Sequence, residues 1–113
     1  MEVEQRTRQR APRYNAQFVR AAVTVVRPVN RQIGEWQSRV ALLEALSKQP
    51  SAGPELTVRA RELQHAVAAE QQAFGLKVKA LPEQVATESR IADTQRALGT
   101  VMAAVERVLG RIT

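Results

Sequence analysis

Apolar residues recur along this chain at spacings of three and four, and that rhythm belongs to helices that bury one side against another helix. Val29, Ile33, Trp36, Val40 and Leu43 follow one another at +4, +3, +4 and +3. Leu56, Ala60, Leu63 and Val67 form a second stripe, and Ile91, Leu98, Met102, Val105, Leu109 and Ile112 a third. Alternating β-branched runs bounded by turn residues, the mark of strands, are missing. The pattern predicts an all-α protein, an antiparallel helical bundle or coiled coil of three main helices.

Prolines and polar stretches divide the chain. Residues 1–12 (MEVEQRTRQRAP) are charged and aperiodic, and read as a flexible basic arm before a single helical-bundle domain over 13–113. Helical signal begins near Asn15, a suitable cap. From Phe18 through Ala22, Val25 and Val29 to Leu43 the stripe stays within about 40° of one direction at 100° per residue. Pro28 lies inside this span. Its ring removes one hydrogen bond, so a kink is expected there, and the unbroken phase favours one kinked helix over two.

Residues 47–54, with two prolines and a glycine, form the clearest loop, and Pro54 suits the first turn of a second helix over about 55–80. Pro82 then interrupts, either ending or bending the helix, and a last helix is predicted over about 83–111. Glu70, Glu88 and Gln95 fall at positions where the rhythm asks for apolar side chains. Ala and Val dominate the apolar set and only four residues are aromatic. A thin seam follows, which self-association would help to complete.

Charge is distributed unevenly. Residues 1–34 hold seven Arg against Glu2 and Glu4, whereas the remainder has ten basic and nine acidic residues. Arg13, Arg20, Arg27 and Arg31 share one helix face opposite the apolar stripe. Together with Arg6, Arg8 and Arg10 they make a candidate anion-binding ridge for phosphates, anionic lipid or an acidic protein. A merely solvated helix face would look the same.

Other chemistry is poorly represented. The chain has no cysteine, hence no disulfide and no thiolate metal site, in keeping with a cytoplasmic location. The sole histidine, His65, has Glu62 one turn away and no second ligand on its face, so no metal site is expected. Glu83, Glu88 and Asp93 read as exposed charge rather than an acid–base pair. The five glycines are scattered singly, without a phosphate-cradling pattern.

No cofactor, catalytic residue or small-molecule substrate is therefore expected, nor a secretory signal. The longest apolar run, residues 21–26, contains Thr24 and is far short of the roughly 18 residues needed for a membrane span. The sequence predicts a non-enzymatic interaction module, an adaptor, chaperone-like or assembly subunit that binds a partner helix or itself. Its expected partner-binding face comprises Trp36, Val40, Leu43, Leu98, Met102 and Val105. Trp36 and the pair Tyr14 and Phe18 also suit plain packing. The rival expectation is a nucleic-acid-associated protein that lays the Arg ridge on phosphates.

Overall fold

A computed structural model describes residues 2–51 and 53–112, with side chains from residue 16 onward. It is all-α. Helix α1 (Glu2–Ser47) is followed by α2 (Pro54–Lys79), the single turn α3 (Glu83–Ala86) and α4 (Ser89–Ile112). The three long helices pack against one another, with α4 in contact with both α1 and α2. The body is a rod of 72 × 22 × 18 Å.

Buried positions explain why these segments pair. On α1 they are Ala22, Val26, Val29, Ile33, Trp36, Val40 and Leu43, which alternate +4 and +3 throughout. On α4 they are Ile91, Thr94, Leu98, Val101, Val105 and Val108, again at +3 and +4. A 3.5-residue repeat keeps one seam facing its neighbours along the whole rod, as in a left-handed coiled coil. Leu56, Ala60, Leu63, Val67 and Phe74 supply the α2 side. The interior is thus filled within one chain, with no second copy needed to cover these residues.

Directions follow from two cross-links. Thr94 Oγ1 donates to Asn30 Oδ1 at 2.9 Å near one end, and Arg111 lies 3.6 Å from Glu44 near the other. Helices α1 and α4 therefore run parallel, and α2 runs against both. The expectation of antiparallel neighbours holds for helices consecutive along the chain and fails for the first and last, as an up-down-up path requires.

Local signals account for most helix ends. Pro54 occupies the start of α2 after Gly53, where its missing N–H costs nothing. Lys77 and Lys79 sit in the last turn of α2, where the helix dipole favours cations. Pro82, in extended conformation, ends α2 rather than bending it and leads into α3. Here the expected single helix over 83–111 is corrected: it is two helices, parted at Thr87 and Glu88. The Thr87 hydroxyl donates back to the Glu83 and Gln84 carbonyls, both at 3.1 Å, a bond that competes with helix continuation. The break lets Val85 tuck beneath the bundle, only 1% exposed and on the side of α3 packed against α1.

Two further corrections concern α1 and α4. Helix α1 begins at Glu2, well before Asn15, although its passage through Pro28 as one helix is as expected. Pro28 and Thr24, whose carbonyl it leaves unbonded, both face solvent, so water can replace the lost donor. On α4 the seam is rotated from the predicted phase. Thr94, Val101 and Val108 are buried, while Met102, Leu109 and Ile112 lie half-buried at its margin. Gln95 faces solvent, and Glu70 and Glu88 are half-buried.

Three stability measurements test this packing, with Trp36 fluorescence as the reporter. Leu98→Ala should lower the unfolding free energy by about 2–5 kcal/mol, since a fully enclosed side chain leaves a cavity. A loss under about 1 kcal/mol would place Leu98 outside a packed core. Gly99 is exposed mid-helix with nothing within 4 Å of an added Cβ, so Gly99→Ala should raise stability by about 0.5–1 kcal/mol. Thr94→Val should change stability by less than about 1 kcal/mol, because the abandoned Asn30 is exposed and can bind water. A larger loss would mean that the hydroxyl holds the helices together.

Candidate functional site

The predicted partner-binding face turns inward. Trp36, Val40, Leu43, Leu98 and Val105 are all buried in the chain's own core, and Met102 is half-buried against it. The folded monomer does not offer these side chains to another molecule. Whatever surface it does offer lies elsewhere.

Helix length shows where. At 1.5 Å per residue the 46 residues of α1 span about 69 Å, against about 39 Å for the 26 of α2 and about 36 Å for the 24 of α4. Among the described side chains the core reaches back along α1 to Ala22, with Phe18, Ala21 and Val25 half-buried beside it. Helix α1 thus outruns its bundle toward the N-terminus.

The flank of α1 just past Ala22 is distinctive. Ala16, Val19, Arg20, Val23, Thr24, Arg27 and Pro28 line an open depression of about 520 Å³. Val19 and Val23 are half-buried and stand apart from the core cluster. By helical projection this strip lies between the seam and the Arg ridge.

The ridge itself is partly within view. Arg20, Arg27 and Arg31 are exposed on one face, as predicted; the side chains of Arg13, Arg6, Arg8, Arg10 and Tyr14 lie outside those described. Among the described residues the ion pairs are Arg59–Glu55, Arg90–Glu88, Arg96–Asp93 and Arg111–Glu44, and none involves the ridge. Residues 16–31 contain three Arg and no Asp or Glu. Glu35, one turn beyond Arg31, accepts a hydrogen bond from Gln32 at 3.3 Å. Arg59, Arg90, Arg96 and Arg111 each lie within 4 Å of a carboxylate, whereas residues 16–31 contain no acidic residue to offset their three Arg.

A second concavity, of about 420 Å³, lies between α1 and α2 and is lined by Arg39, Leu42, Leu43, Arg59, Glu62, Leu63 and Ala66. Leu42 stands 58% exposed at its edge. Leu76 and Val58, also largely exposed, lie on the outer face of α2. His65 is exposed on that same face, and among the described residues no group of three His, Asp or Glu converges as metal ligands would. No described helix is long and apolar enough to cross a membrane. Glu83 and Asp93 are exposed, and Glu88 is half-buried 3.4 Å from Arg90.

Sequence reasoning found the ridge by its spacing and missed the Ala16, Val19 and Val23 strip. Those residues do recur at +3 and +4, but on a phase beside the seam, where a search for the dominant stripe passes over them. Comparison with known protein families, curated proteins and solved structures finds no match for this chain.

Proposed function

We propose that this chain is a non-enzymatic helical protein-interaction module, an adaptor, chaperone-like factor or assembly subunit. It works in the cytoplasm by laying a helix face against a partner helix or a second copy of itself. One observation supports this reading above others: α1 has 46 residues against 26 and 24 for the helices packed on it, so it extends beyond them. A preformed helix presented this way pays no folding cost when it docks, which favours association. Exposed Leu42, Val58 and Leu76 add apolar side chains outside the core. The absence of cysteine fits a reducing compartment.

A second reading has its own support. Arg20, Arg27 and Arg31 are exposed and lack ion-pair partners among the described residues, which suits a basic protein associated with nucleic acid.

Site-specific photo-cross-linking in the expressing cells separates the two. With a photoreactive residue at position 23 or 42, the interaction reading expects discrete protein adducts that are missing when the label sits at position 96. Adducts to RNA or DNA from position 23 or 27, lost on raising salt, would support the second reading instead. No adduct of either kind from any of these positions would contradict both.

A further inference from the structure

Resting on the interaction-module reading, we infer that the strip formed by Ala16, Val19 and Val23, edged by Arg20 and Arg27, is a docking site for an acidic amphipathic helix of another protein. The shape comes from side-chain size. A small alanine and two valines leave a shallow, open depression on α1 of about 520 Å³, against which the apolar ridge of a helix could pack. This depression is not part of the chain's own core, whereas the neighbouring Phe18, Ala21 and Val25 pack against that core.

Charge selects the occupant. Arg20, Arg27 and Arg31 stand about 10.5 and 6 Å apart along the axis, at 1.5 Å per residue. A helix with carboxylates at the same seven- and four-residue spacing, beside an Ala/Leu stripe, would meet each guanidinium as its stripe packs on the depression. A second copy packed strip to strip would do the opposite: it would bring the same three Arg, with no Asp or Glu in residues 16–31, against their like. A phosphate backbone would satisfy the Arg side chains and leave Val19 and Val23 uncovered.

The test uses the full chain, isotope-labelled, and two synthetic helical peptides that share a Leu/Ala stripe and differ in flanking charge, Glu in one and Lys in the other. The Glu peptide should shift backbone amides of residues 16–31, and the Lys peptide should not. Raising salt from about 0.05 to about 0.5 M should weaken the Glu complex. Arg20→Glu with Arg27→Glu should reduce affinity for the Glu peptide by at least about tenfold and create affinity for the Lys peptide. Both positions are exposed, so unchanged Trp36 fluorescence will confirm the fold of that variant.

Equal response to both peptides, or none at residues 16–31, would overturn the assignment. Shifts confined to Leu42 and Leu63 would also overturn it, while leaving the interaction-module reading intact in the α1–α2 groove. A short DNA duplex that shifts residues 16–31 more strongly than the Glu peptide at equal salt would replace the acidic helix by nucleic acid.

Discussion

Burial along a 3.5-residue repeat is the interaction on which the rest of this structure depends. The seam is narrow, made mainly of Val, Leu and Ile with single contributions from Trp36 and Phe74. At roughly 25 cal/mol per Å² of apolar surface, small side chains stabilise only if many are enclosed along a long contact. Long helices are the consequence, and so is the rod shape. Thr94 is the one buried polar side chain among those described, and it is tolerated because Asn30 on the parallel helix accepts its proton at 2.9 Å.

Filling the core from within decides what can be surface. Two parallel helices with α2 antiparallel between the ends enclose Trp36, Leu98 and Val105, and so remove them from any partner's reach. Helix α1, nearly twice the length of either companion, then has surface left over. Of the Arg side chains without ion pairs there, Arg20 stands at the edge of that stretch, and Arg27 and Arg31 on the outer face of the bundled part. Beyond residue 34 charges are nearly balanced and several pair locally, which at exposed positions adds little stability. The asymmetry is therefore a property of the α1 surface and of what it can attract, rather than of the fold.

Much of the architecture was legible in the sequence because α1 and α2 each offer one dominant phase. Ile33, Trp36, Val40 and Leu43, and Leu56 to Val67, are buried where their spacing put them, and the prolines at 54 and 82 mark real helix boundaries. Helix α4 was harder. Its apolar residues fill two adjacent phases, and choosing Met102, Leu109 and Ile112 over Thr94, Val101 and Val108 turned the seam by about one residue. A polar Thr at a buried position hid the true repeat. The break at Thr87 depends on side-chain bonds to two carbonyls, which spacing does not encode. Of the candidate site, the Arg ridge was legible as charge at helical intervals. Which apolar stripe remained outside required knowing where the bundle stops.

A cysteine-free chain permits paired spin labels at chosen positions, and distances between α1 and α4 test the closed, parallel core most directly. Pairs introduced as R31C/D93C and E44C/R111C should both lie within about 25 Å, helix axes in contact being about 8–10 Å apart. Neither distance should change on dilution with unlabelled chain. An antiparallel α1 and α4 would lengthen at least one of them by about 20 Å, the rise over thirteen residues. That lengthening, or short distances that vanish on dilution, would contradict a core completed within a single chain.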